Sequence, residues 1–115
     1  MSRGPSAAAR KAASAALVFA ALGDETRLGL VSRLSSEGPR SIAELSEGAS
    51  VTRQAITKHL RALAAAGLAR DTRRGRESIW ELTPGRLESA RRYLDEVSSQ
   101  WDLALGRLRS FVEEP

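Results

Sequence analysis

Apolar positions along the chain recur first at helical spacing, then in alternation, then at helical spacing again. An alanine-rich stretch from Ala7 to Ala21, with Leu17, Val18 and Phe19 near its end, predicts a first helix that Gly23 stops. Asp24 suits the N-cap of a second helix, because its carboxylate accepts from backbone N–H groups that lack helical partners. Leu28, Val31 and Leu34 follow at threefold spacing and predict one apolar stripe. Gly38-Pro39 ends that segment, since proline cannot continue the hydrogen-bond ladder. Ser41 with Glu44 three residues later makes a capping box for a short third helix of two turns. Its Ile42 and Leu45 point inward, and Gly48 closes it.

Thr52 is the expected N-cap of a fourth helix reaching about Ala66. Ile56, Leu60 and Leu63 define its buried face, while Arg53, Gln54, Thr57, Lys58 and Arg61 project from the other side. Gly67 is a natural C′ residue in left-handed conformation. Periodicity then switches. Leu68–Arg73 and Arg76–Leu82 read as two strands joined across Arg74-Gly75, with Trp80 and Leu82 on one face. Thr83 as N-cap and Pro84 at the first helical position restart a helix. From there Leu87, Ala90, Leu94, Val97, Trp101, Ala104, Leu108 and Phe111 form an unbroken heptad stripe.

The predicted fold is mainly α with a small β-hairpin, in the order α-α-α-α-β-β-α. Residues 1–6 read as a disordered lead-in and residues 7–113 as one domain. Within it stand a helix-turn-helix (41–66), a hairpin (68–82) and a long last helix (84–112). A length of 115 residues suits one hydrophobic core and is too short for two.

Composition narrows the function classes. With 42% apolar and 28% charged residues the chain is globular in type. No apolar run approaches the roughly 20 residues of a bilayer crossing. The alanine-rich start carries Arg10 and Lys11 and lacks the pattern of a secretory signal, so a cytoplasmic protein is expected. The absence of cysteine excludes disulfides, thiolate metal sites and cysteine nucleophiles. The single histidine, His59, cannot make a zinc site, which needs three or four ligands, and reads instead as a partly buried hydrogen-bonding residue. Asp24, Glu25 and Glu44 lie at helix starts, where they complement the macrodipole. No nucleophile, base and orienting group converge, so neither an enzyme nor a cofactor or metal is expected.

Charge placement is more informative than the net +4. Between Ser50 and Arg76 stand seven basic residues and one acid, Asp71, a net +6; the other 88 residues carry −2. Such a patch suits a polyanion, because each neutralised phosphate releases counterions. The major groove of B-DNA admits one α-helix. Arg53 can fork onto guanine, Gln54 can pair with adenine, and Thr57 can meet a thymine methyl or a phosphate. Lys58 and Arg61 are better placed for phosphates. Arg73, Arg74 and Arg76 crowd the hairpin, which makes a wing able to touch the backbone or minor groove. Double-stranded DNA is the expected partner, with Thr52 counted among the contact positions beside Arg53, Gln54, Thr57, Lys58, Arg61, Arg73, Arg74 and Arg76.

Two runs carry a family resemblance. Phe19-Ala20-Ala21-Leu22-Gly23-Asp24-Glu25-Thr26-Arg27-Leu28 and Val51-Thr52-Arg53-Gln54-Ala55-Ile56-Thr57-Lys58-His59-Leu60-Arg61-Ala62-Leu63 resemble ArsR-type (ArsR/SmtB) winged-helix repressors. Gly67-Leu68 and Trp80-Glu81-Leu82-Thr83-Pro84 fit that family's wing. The resemblance implies a homodimer joined through the first and last helices, and Arg53, Gln54, Thr57 and Lys58 as groove-facing positions. Metal-sensing members use cysteines in the helix-turn-helix or Asp and His on the last helix. This chain has no cysteine, and no histidine beyond Pro84, and so resembles a branch that does not sense metals. Its C-terminal text looks like that of members encoded beside START-like (SRPBCC) ligand-binding proteins.

The heptad stripe calls for a partner. Leu17, Leu94, Val97, Trp101 and Leu108 are the expected dimer interface, and a twofold dimer predicts an inverted-repeat operator. The expected function is a sequence-specific DNA-binding repressor. The alternatives are a winged-helix protein-interaction module, or a regulator answering a small-molecule effector at the dimer interface.

Overall fold

Side-chain caps set where the helices of this computed structural model, which describes residues 4–113, begin. Ser6 accepts from the Ala9 N–H at 3.1 Å and opens α1 (Ala7–Leu22). Asp24 Oδ2 accepts from the Arg27 N–H at 3.0 Å and opens α2 (Glu25–Glu37). Of the expected lead-in, residues 1–3 lie outside the described residues, and Ser6 serves as a cap.

After α2, Gly38 (φ 80°) leads into β1 (Arg40–Ser41), and Ser41 then caps α3 (Ile42–Ser46). The capping box is complete: the Ser41 hydroxyl accepts from the Glu44 N–H, and a Glu44 carboxylate oxygen accepts from the Ser41 N–H, both at 3.1 Å. The helix is only five residues long, shorter than two turns, because Glu47 already leaves helical geometry. Thr52 accepts from the Ala55 N–H at 3.1 Å and opens α4 (Arg53–Ala65). The exit of α4 is a Schellman motif. Gly67, at φ 77°, donates to the Ala64 carbonyl, and Leu68 donates to that of Leu63, both at 2.9 Å. The chain then runs through β2 (Ala69–Arg74) and β3 (Glu77–Leu82) into α5 (Pro84–Glu113).

The three strands form one antiparallel sheet in the order β1-β3-β2. The sequence predicts only the hairpin; β1 is a two-residue addition held by pairing Arg40 with Trp80 and Ser41 with Ile79. The hairpin tip is also displaced by one residue. Arg74 pairs with Glu77, so the two loop residues are Gly75 and Arg76 rather than Arg74 and Gly75. Only Gly75 has positive φ there (62°), as a type II′ turn requires at its first central position.

Leu45, Ile56, Leu60, Leu63, Leu68 and Val18 are fully buried where α1, α2, α3, α4 and the sheet meet. Burying each such side chain stabilises by roughly 1.5–3 kcal/mol. Leu30 and Leu34 complete the core from α2, whereas Leu28, expected on the apolar stripe, is 53% exposed. Threefold spacing drifts around a helix of about 3.6 residues per turn, and Leu28 falls outside the face that Leu30 and Leu34 share. Thr83, expected to cap α5, donates its hydroxyl to the Gly67 carbonyl at 2.6 Å, tying the start of α5 to the end of α4.

Only the first part of α5 is covered by its own chain. Ala90 is buried and Leu87 packs against the core, while Lys11 in the first turns of α1 pairs with Glu96 at 3.6 Å. From Glu96 onward α5 runs past the start of α1, and the molecule extends to 69 Å in its longest dimension. No helix among the described residues is long and apolar enough to cross a membrane.

Candidate nucleic-acid interface

The outward face of α4 follows from the burial of its inward one. Ile56, Leu60 and Leu63 are at most 1% exposed, which fixes the rotation of the helix about its axis. Arg53, Gln54, Lys58 and Arg61 are thereby turned to solvent, with Thr57 half-buried at the edge of that face. Among the described residues none of Arg53, Lys58 and Arg61 has a carboxylate partner. Two of the candidate hydroxyls are already engaged within the helix. Thr52 caps it, and Thr57 donates to the Arg53 carbonyl at 3.0 Å.

Two arginines of α2 tie the helix-turn-helix in place, one at α3 and one at α4. The guanidinium of Arg33 on α2 donates to the Leu45 carbonyl at 3.3 Å and the Glu44 carbonyl at 3.1 Å, which satisfies the C-terminal carbonyls of α3. Arg27 makes the second tie. Its Nε donates to the Ala21 carbonyl at 2.6 Å, and its Nη1 lies 3.2 Å from Nδ1 of His59 on α4. A guanidinium only donates, so Nδ1 accepts and the ring proton sits on Nε2. His59 is therefore a partly buried strut between α2 and α4, with Asp24 Oδ2 at 3.8 Å. Sequence reasoning anticipates a hydrogen-bonding histidine but not Arg27 as its partner, because the two stand 32 positions apart.

Two carboxylates of this scaffold titrate below their ordinary range. The Arg27 backbone N–H, helped by the nearby Arg27 charge, holds Asp24 down. The Ser41 backbone N–H, then its hydroxyl, does the same for Glu44. Both are structural caps.

The hairpin continues directly from the end of α4. Arg70 is tied across the sheet to Glu81 at 2.8 Å, which leaves Arg73, Arg74 and Arg76 exposed at the far end without ion-pair partners among the described residues. The basic residues of α4 and of the hairpin thus belong to one continuous unit.

The remaining candidate positions are separate from this surface. Leu17 (59% exposed), Leu94, Val97, Trp101 (64%) and Leu108 (58%) stand uncovered on α1 and α5. Among the described residues no group of three or more His, Cys, Asp or Glu side chains is arranged to hold a metal ion.

Residues 22–72 match the helix-turn-helix domain family. Over 85 residues the chain is 36% identical to the HTH-type transcriptional regulator Rv2034 of Mycobacterium tuberculosis, an alignment covering 74% of this chain and 76% of that protein. An ArsR-like transcriptional regulator from Rhodococcus sp. RHA1 superimposes with a TM-score of 0.75 at 36% identity, covering 90% of this chain and 96% of the other. The homodimeric winged helix-turn-helix DNA-binding domain of Mb0332 from Mycobacterium bovis shares the fold at 22% identity, with a TM-score of 0.62 and coverage of 89% and 91%.

Proposed function

The chain belongs to the ArsR family of helix-turn-helix transcriptional regulators, and within that family we propose that it is a homodimeric repressor which occupies an inverted-repeat operator without sensing a metal. The carrying observation is the outward face of α4, where Arg53, Gln54, Lys58 and Arg61 are exposed and the three cations have no carboxylate partner among the described residues. Arg53 and Gln54 lie in the first turn, the part of a recognition helix that reaches base edges. Their forked and amide groups suit guanine and adenine. Thr52, Lys58 and Arg61 meet phosphates and set register, and Thr57 meets a thymine methyl or the backbone. Arg73, Arg74 and Arg76 extend the footprint through the wing.

The dimer is the counterpart of this assignment. Residues 7–113 act as one unit, in which the uncovered stripe of α5 packs with α1 against a second copy through Leu17, Leu94, Val97, Trp101 and Leu108. A twofold axis then presents two copies of α4 to one face of the duplex, about one helical turn apart. The homodimeric state of the Mb0332 domain supports this reading. A chain without cysteine and with one histidine lacks the donors of a thiolate or multi-histidine sensor.

Selection from a random duplex pool, followed by mobility-shift titration, tests the proposal. The expected result is a palindromic site, with log affinity falling against log salt at a slope of about −7 if about eight phosphates are neutralised. A monomer showing no salt-sensitive preference for any duplex over heparin would overturn it.

A further inference from the structure

The packing of α1 on α5 leaves a cleft of about 690 Å³, within the range of small-molecule sites. Its floor is apolar and buried: Ala15 and Val18 from α1, and Ala90 from α5. The small residues Ser14, Ala15, Ser89 and Ala90 keep the facing helix surfaces shallow, and the space they leave is the cleft. The rim is strongly one-signed. Arg10, Lys11, Arg86 and Arg92 surround it, Glu96 is the single acid, and Glu96 is already paired with Lys11. Arg10 and Arg86 have no ion pair among the described residues. Tyr93 adds one aromatic ring to the wall.

An apolar floor under a cationic rim fits one kind of molecule. We propose that the α1–α5 cleft binds a small amphipathic organic carboxylate, its hydrocarbon or aromatic body on Val18, Ala90 and Tyr93 and its carboxylate on Arg10 and Arg86. An inorganic anion would leave the floor unused, and a neutral apolar compound would leave the rim unanswered. Ser89, Arg92 and Glu96 face away from Leu94 and Trp101 on a helix of about 3.6 residues per turn, whereas Ala90 continues their stripe and Arg10 shares a face of α1 with Leu17, so a second copy packed on that stripe would border the cleft.

Arg86 also reaches the recognition unit. Its side chain lies across Gly67 so closely that a Cβ there would stand 2.6 Å from Nε and 2.7 Å from Cδ. Gly67 is the residue on which α4 terminates. A carboxylate that draws Arg86 into the cleft therefore acts on the end of α4, and by linkage DNA would alter the affinity for the carboxylate equally. That coupling rests on the DNA-binding reading. The site itself does not.

The test is accordingly made without DNA, with 4-phenylbutyrate as probe and 4-phenylbutanol as its neutral counterpart. Calorimetric titration of the full chain is run beside the ring resonances of Tyr93, the only tyrosine in the sequence. Saturable binding of the acid that shifts Tyr93 is expected, with the alcohol weaker by about ten-fold or more because the charge-assisted bonds are lost. The Arg10→Gln/Arg86→Gln double variant should lose affinity by a similar factor, and Arg109→Gln on distal α5 should not. Equal binding of acid and alcohol, or no saturation below about 10 mM, would overturn the proposal. So would dissociation of a dimer by the double variant, since the cleft would then be a subunit contact.

Discussion

Arg27 Nη1 and His59 Nδ1 stand 3.2 Å apart and join the start of α2 to the middle of α4. The same guanidinium holds the Ala21 carbonyl at the end of α1, so one side chain fixes three helices. Replacement by Met keeps the aliphatic stem and removes every donor. Arg27→Met should cost about 2 kcal/mol of unfolding free energy, the scale for losing hydrogen bonds from a charged group to partly buried acceptors. His59→Ala should cost less, because Arg27 keeps its carbonyl partner. Equilibrium urea unfolding of the two variants measures both, and equal losses would contradict the strut.

Acid should weaken the fold in a window set by two caps. Asp24 and Glu44 titrate below their ordinary 3.8 and 4.5, so each contributes stability that is fully present above those values. The contribution is lost as pH falls through the lowered folded-state values, where the unfolded chain binds protons first. Denaturant midpoints should hold down to about pH 5 and decline below it. Asp24→Asn removes one of these titrations and should make the decline shallower. An unchanged slope would assign the acid lability elsewhere.

Groove and wing residues separate by what they do to salt dependence. Arg53→Ala and Gln54→Ala should each weaken a selected operator by about 1–3 kcal/mol and relax base preference at one position per half-site. Lys58→Ala, Arg61→Ala and Arg74→Ala should weaken all duplexes alike and lower the salt slope by about 1 for each phosphate that is no longer neutralised. All five side chains are exposed, so melting temperatures should stay near that of the parent chain.

Gly67 is constrained twice, by its φ of 77° and by the Arg86 side chain above it. Gly67→Ala should destabilise by about 1–2 kcal/mol through the backbone and the steric clash together. In Gly67→Ala/Arg86→Ala the clash disappears while the backbone cost remains, giving a favourable coupling energy in a double-mutant cycle. Strict additivity would mean that Arg86 moves aside without cost.

Trp101→Ala and Leu108→Asp test the stripe of α5. Both positions are well exposed in the single chain, so neither change should unfold the core. Sedimentation should nevertheless show dimer dissociation raised by ten-fold or more, since truncating a large anchor at an interface centre costs about 2 kcal/mol or more.

Features with a local cause are legible in the sequence. Asp24, Ser41 with Glu44, Thr52 and Gly67 each occupy the cap that their own chemistry favours, and Ile56, Leu60 and Leu63 form the buried face that their spacing implies. Features that depend on tertiary context are not. Strand β1 exists only because β3 lies beside it, and two residues carry no periodicity of their own. The hairpin tip differs by one residue because either register places Gly75 in the turn, and only the pairing of Arg74 with Glu77 decides. Leu28 satisfies the threefold spacing, yet Leu30 and Leu34 share the face that is buried. The tie from Arg27 to His59 and the α1–α5 cleft join residues far apart in the chain, and no local pattern marks them.

Ser41 is both a strand residue paired with Ile79 and the cap from which α3 starts. Through that single buried residue the wing and the helix-turn-helix share one frame. On the proposed reading the two contacts are spaced by that frame, so inserting one base pair between the stretch read by α4 and the stretch touched by the hairpin should weaken binding.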